Sequence, residues 1–233
     1  MGDPLVLEPD GFVNLGQAFS ANPTESGTFS QFSGGQVTTT DVVFVVNQVP
    51  SASIDTRPTV VLLHDIVTLD GSGWDPDGHP ILLEWTLTPP LGSSAQLVDP
   101  SSPTASFTPD LPGNYVVTLL VSDPFGPSEP ATLTITALGP EDYAREMLLQ
   151  AMFLLEELPV AVFDSPGHRK ALLAYIRTAI RKLDNVSKHL NKVLMRCDGY
   201  ALGNDIDEDD WITDRTAQEE LHSLVRAALD ALY

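Results

Sequence analysis

The chain reads as an antiparallel β-sandwich followed by a three-helix bundle. Two observations carry that expectation. Sixteen of the 19 prolines and 13 of the 16 glycines lie in residues 1–139, whereas residues 140–233 hold 11 of the 12 basic residues. The first part is made of short β-branched runs between turn clusters, and the second of apolar stripes at helical spacing. The change falls at Gly139-Pro140, which marks a domain boundary. Three segments follow: an N-terminal β segment or partial β subdomain at 1–49, a sandwich at 50–138, and a helical bundle at 139–233 with an acidic loop at 198–215.

The strand candidates come first. Val42 to Val46 is a short apolar run. Leu62-Leu63 and Ile66-Val67-Thr68-Leu69 precede the stretch Asp70-Gly71-Ser72-Gly73, which reads as a turn cluster. Ile81 to Leu87 ends at Pro89-Pro90, Tyr115 to Val121 ends at Asp123-Pro124, and Ala131 to Thr136 alternates apolar residues with Thr. Trp85 lies mid-strand among apolar neighbours and belongs in the core. Ahead of these, Phe12, Phe19, Phe29 and Phe32 sit among Gly, Ser and Thr. That is too short for a seven-strand sandwich. Three roles stay open for it: a small subdomain, a strand added to the sandwich, or a strand given to another subunit.

The helical candidates are more regular. Pro140 opens a stripe of Ala144, Met147, Leu148, Ala151, Leu154, Leu155 and Leu158, which Pro159 stops. Ser165-Pro166 is an N-cap with Pro at the first helical position. It leads into one long helix whose stripe runs from Leu172 to Leu194, with Gly199 as its stop. Thr216 to Glu219 has the capping-box pattern and opens a stripe from Leu221 to Leu232. Three narrow apolar faces are stable only when packed on one another.

Charge excludes some functions. The chain has 32 acidic and 12 basic residues, a net charge of −20. Phosphate backbones and anionic membrane surfaces are bound through Lys and Arg, so neither nucleic acid nor membrane is an expected partner. No apolar run of spanning length is present, so no membrane insertion is expected. Met1-Gly2-Asp3-Pro4 has neither a basic nor an apolar leader region, which fits a cytosolic chain and equally one whose leader has been removed. The single cysteine, Cys197, rules out an internal disulfide framework.

Residues 50–137 resemble a PKD domain, the immunoglobulin-like sandwich of bacterial secreted and surface proteins. The resemblance rests on motifs that fall in order. Leu69-Asp70-Gly71-Ser72-Gly73 leads into Asp75-Pro76-Asp77-Gly78, and Trp85 follows at the family's core position. Phe107-Thr108-Pro109 to Gly113-Asn114-Tyr115 and then Leu119 to Gly126 complete the pattern. Trp74 departs from the small residue usual at its position. Residues 163–232 are similar to a helical module that often ends such proteins, through Arg169 to Leu173, Asp198-Gly199, Asp210-Trp211-Ile212 and Gln218. That pattern implies a disulfide, but Tyr200 and Arg215 stand at its cysteine positions. A bridge closing such a loop contributes roughly 3 kcal/mol, so another staple is needed.

Two acidic clusters are candidate calcium sites, because hard cations take clustered oxygens. One is Asp75 with Asp77, for which a self-capping turn is the alternative. The other is Asp205, Asp207, Asp209 and Asp210, for which a solvated loop is the alternative. The EF-hand template fails at the second, since Asp210 replaces its glycine and Thr216 its bidentate glutamate. The five histidines lack metal-ligand spacing, and no nucleophile elbow or phosphate loop is present. The expectation is therefore a non-enzymatic module on the bacterial cell surface or outside the cell. Calcium would stiffen it, and it would engage protein partners or self-assemble. Two alternatives stand beside it. One is a fibre or surface-layer subunit that exchanges N-terminal strands. The other is a polysaccharide-binding accessory module of a secreted hydrolase, with Trp74, Trp211 and Phe125 as its binding aromatics.

Overall fold

A computed structural model describes residues 24–33, 36–45, 47–183, 187–198 and 210–233. Strands β1 (Thr24–Ser33) and β2 (Gln36–Val45) form a separate two-stranded antiparallel sheet, in register from Thr24 against Val45 to Ser33 against Gln36. The sandwich follows. One sheet has the order β3 (Ser51–Ile54), β5 (Val67–Trp74), β7 (Thr104–Phe107). The other has the order β4 (Val60–Leu62), β9 (Ala131–Leu138), β8 (Gly113–Ser122), β6 (Leu82–Thr88). The sandwich is not wholly antiparallel, because β4 runs parallel to β9.

Period-two alternation builds the core. Tyr115, Val117, Leu119 and Val121 point inward from β8, and all four are fully buried. Val67 and Leu69 from β5, Ile135 and Ala137 from β9, and Trp85 from β6 close the space between the sheets. Asp70-Gly71-Ser72-Gly73 is therefore strand and not turn. Its glycines answer to packing: a Cβ on Gly71 would run into the Trp85 ring and come within 2.7 Å of Leu119, and one on Gly73 within 2.7 Å of Val121. The indole N–H of Trp85 donates to the Ser102 carbonyl at 2.9 Å.

Among the described residues the helical region has four α-helices rather than three: α1 (Pro140–Glu157), α2 (Pro166–Arg181), α3 (Ser187–Leu194) and α4 (Arg215–Asp230). The expected long second helix is two helices. α2 closes at Lys182, whose φ of −137° and ψ of 60° leave the helical region and whose amide reaches back three residues to Ala179. Pro140 and Ser165-Pro166 open α1 and α2 as expected. The cap of α4 is Asp214, whose carboxylate accepts from the Ala217 amide at 2.9 Å; Thr216 lies inside the helix. The expected stop at Gly199 lies outside the described residues.

The bundle core joins Leu148 and Leu155 of α1, Leu172 and Ile176 of α2, Leu190 of α3 and Leu221 of α4, all fully buried. Gln218 is buried among them and donates its side-chain N–H to the Ile212 carbonyl at 2.8 Å. The sandwich and the bundle have distinct cores, and Val60 of β4 packs against the helical one. Among the described residues no helix is long and apolar enough to cross a membrane.

Candidate functional site

The Asp75-Pro76-Asp77-Gly78 loop leaves the end of β5. Gly78 adopts φ +75°, a conformation that needs glycine here. One carboxylate oxygen of Asp75, Oδ1, accepts from the amides of Asp77 at 3.0 Å and His79 at 2.9 Å. This is the self-capping turn anticipated from the sequence. The second oxygen, Oδ2, is buried and has no hydrogen-bond partner.

Asp123 follows β8 and repeats the arrangement. Its Oδ1 accepts from the amides of Phe125 at 2.8 Å and Gly126 at 2.6 Å, while its Oδ2 is buried without a partner. The side chains of Asp75 and Asp123 are 2% and 0% exposed. His79 stands between them, its Nδ1 3.4 Å from Asp75 Oδ1 and 3.7 Å from Asp123 Oδ2, and that nitrogen also lacks a hydrogen bond. The ligand atoms of Asp75, His79 and Asp123 lie within 4.8 Å of one another. Asn47, in the segment that enters the sandwich, lies close enough to Asp123 to lower its carboxyl, and its own Oδ1 is buried and unpaired.

Burial alone would raise the Asp123 carboxyl. The amides of Phe125 and Gly126, the Asn47 side chain and the neighbouring His79 outweigh it and hold the group below its ordinary value. The anion is thus retained inside the protein. Each buried oxygen left without a donor is costly, and such groups in native proteins are normally satisfied. One divalent cation could be held by ligand atoms of Asp75, His79 and Asp123, which lie within reach of a single ion. The two carboxylates suit a hard cation such as calcium, with water completing the shell. The His79 nitrogen would suit manganese or zinc better.

This placement changes the sequence expectation. Asp75 belongs to the cluster and Asp77 does not. Asp77 accepts from the Gln48 backbone at 2.6 Å and from its side-chain amide at 3.1 Å, which ties the entering segment to the loop. His79, Asp123 and Asn47 are the partners that the sequence reading missed. Among the acidic-loop candidates, Asp205, Asp207 and Asp209 lie outside the described residues. Asp210 is buried and partnered.

The three aromatic candidates separate. Trp74 and Phe125 are 64% and 68% exposed, with the Phe125 ring 5.0 Å from that of His79. Trp211 is stacked on His168 at 4.1 Å and lies under the Arg196 guanidinium at 4.9 Å. It is partly buried and packs against the bundle core. Cys197 is buried, and burial together with Asp198 and Asp210 pushes its thiol up to about 12. It is an inert structural thiol.

The seven strands and the inward Trp85 form a β-sandwich of PKD or immunoglobulin-like type. Residues 57–137 match the family model described as K319L-like, PKD domain. The match ends before the helices. Among solved structures, the chain is similar to the PKD domain from KIAA 1837 protein at 29% identity, covering 37% of this chain and 86% of that one, with a TM-score of 0.30. It is similar to the PKD domain of an M14-like peptidase from a Thermoplasmatales archaeon at 21% identity, covering 40% and 98%, with a TM-score of 0.29. Domains 4 and 5 of the S-layer protein SbsC match at 15% identity, covering 58% and 66%, with a TM-score of 0.30. No curated protein matches the chain.

Proposed function

We propose that the chain is a non-catalytic structural or adhesion module of an extracellular protein, and that a calcium ion clamps its entering segment to the sandwich. The observation that carries this reading is the approach of Asp75, His79 and Asp123 ligand atoms to within 4.8 Å of one another, with buried, unpartnered oxygens on Asn47, Asp75 and Asp123. They come from three separate stretches of chain: the entry to the sandwich, the loop after β5 and the loop after β8. A cation among them ties these stretches together. The Gln48–Asp77 hydrogen bonds hold the same segment from the other side. The ion's work is mechanical: it orients whatever precedes residue 47 relative to the sandwich.

The test is thermal melting of the full chain in calcium and in EGTA, with manganese and zinc as parallel arms. Ligand at a hundred times its Kd stabilises by about 2.7 kcal/mol, which raises Tm by several degrees. Asp123→Asn and Asn47→Ala should each remove most of that rise. Protease cleavage near residue 47 should slow in calcium. If none of the three metals moves Tm, the cation reading is wrong. If only zinc or manganese does, His79 is a ligand and calcium is not the ion.

A further inference from the structure

We propose that the groove between α1 and α4 is the docking site for a basic amphipathic helix of a partner protein. Its floor is Leu149, Phe153 and Leu154 of α1 with Leu224 of α4. Phe153 is 67% exposed and Leu149 45%. Neither belongs to the stripe that α1 turns into the bundle core, so α1 carries a second apolar face that packing among the described residues does not use. The groove encloses about 550 Å³, room for several side chains rather than one. It follows α1 from Glu146 to Glu157, eleven steps of about 1.5 Å, or about 16 Å. That is about three turns of an opposing helix.

Charge decides the occupant. The rim is Glu146, Glu157 and Glu220, and no Lys or Arg lines the groove. The neighbouring acids are neutralised within the chain: Glu156 pairs with Arg177 at 3.0 Å and Glu219 with Arg215 at 2.9 Å. Glu157 and Glu220 have no ion pair among the described residues. Glu157 sits in the last turn of α1, next to Glu156, whose carbonyl accepts from Arg169. A second copy of this chain would bring another acidic rim on a molecule of charge −20, and the two would repel. A helix with apolar anchors at i, i+3, i+4 and i+7, flanked by Lys or Arg, fills the floor and neutralises the rim.

The experiment uses the full chain and two capped helical peptides of about 14 residues. Both carry Leu at the anchor positions; one is flanked by Lys and the other by Glu. Binding is read by fluorescence anisotropy at several salt concentrations. The Leu/Lys peptide should bind and the Leu/Glu peptide should not. Phe153→Ala should weaken binding by at least about tenfold. The pair Glu157→Gln and Glu220→Gln should weaken it and flatten its salt dependence. Phe153 is exposed, so Phe153→Ala should melt like the parent; Leu149→Ala repeats the test should it not. Failure of the Leu/Lys peptide to bind overturns the proposal. So does equal binding by both alanine variants, which would mean attraction to the acidic chain at large. A dimer in light scattering that Phe153→Ala dissolves would also overturn it, since the occupant would then be a second copy.

Discussion

Asp110 shows how one carboxylate can hold a loop. It accepts the Ser93 hydroxyl, the Ser94 amide at 2.7 Å, the Ser94 hydroxyl at 2.7 Å and the Tyr115 hydroxyl at 3.2 Å. The Ser93 hydroxyl and then the two groups of Ser94 hold its carboxyl well below the usual carboxylate range. A group whose folded pKa is depressed contributes stability above its unfolded pKa and loses it as pH falls toward the folded value. The sandwich should therefore lose stability below about pH 4, where the unfolded aspartate takes up its proton. Asp110→Asn should flatten part of that loss in a calorimetric pH series; an unchanged slope would show that other carboxylates carry it. Tyr115 is fully buried, and its single hydroxyl proton is shared between Asp110 and the nearer Leu111 carbonyl at 2.8 Å. Residues of this kind are partly legible in a sequence. Trp85 could be placed because an aromatic in mid-strand has nowhere to go but the core. The Asp75 turn could be placed because all its bonds are local. Asn47 and Asp123 could not, since they lie far along the chain from Asp75 and only the folded sheets bring them together. Gly71 and Gly73 were misread because glycine usually marks a turn, whereas these two make room for side chains from the opposite sheet.

Caps and breaks tell a similar story among the elements. Asp214 and Thr216 are both good N-cap types, and Thr216 has the Glu219 partner that a capping box requires. Asp214 prevails, and the helix it starts gains the Arg215–Glu219 pair one turn apart at 2.9 Å. Asp214→Ala should cost about 1 kcal/mol in urea unfolding, and Thr216→Ala only a few tenths. Equal losses would restore Thr216 as the cap. The division between α2 and α3 was hidden because their apolar positions continue at helical spacing from Leu172 to Leu194. Periodicity records which face is buried and is silent on continuity. β3 and β7 were missed for the opposite reason. Each is four residues long, and Ser51-Ala52-Ser53-Ile54 has little of the β-branched apolar character that marks a strand. Pairing with β5 makes them strands.

For the molecule as a whole, the abrupt change of composition at Gly139-Pro140 corresponds to two separate cores with a small shared surface. Val60 packs on the helical core, and burial with Asp65 nearby raises the Tyr143 hydroxyl where α1 meets the sandwich. A chain ending at Gly139 should accordingly keep a cooperative thermal transition of its own, followed through Trp85 fluorescence. Loss of that transition would mean that the helices complete the sandwich core. The parallel pairing of β4 with β9 has a different consequence. These strands bring together the two ends of the family match, through Val60 with Thr136, Val61 with Ala137 and Leu62 with Leu138. Tension that enters ahead of β4 and leaves behind β9 slides the two strands past each other. The bonds between them are loaded lengthwise and must yield together, whereas an antiparallel pair pulled from one end opens like a zip. Strand direction at this one seam thus makes the sandwich a unit that resists stretching.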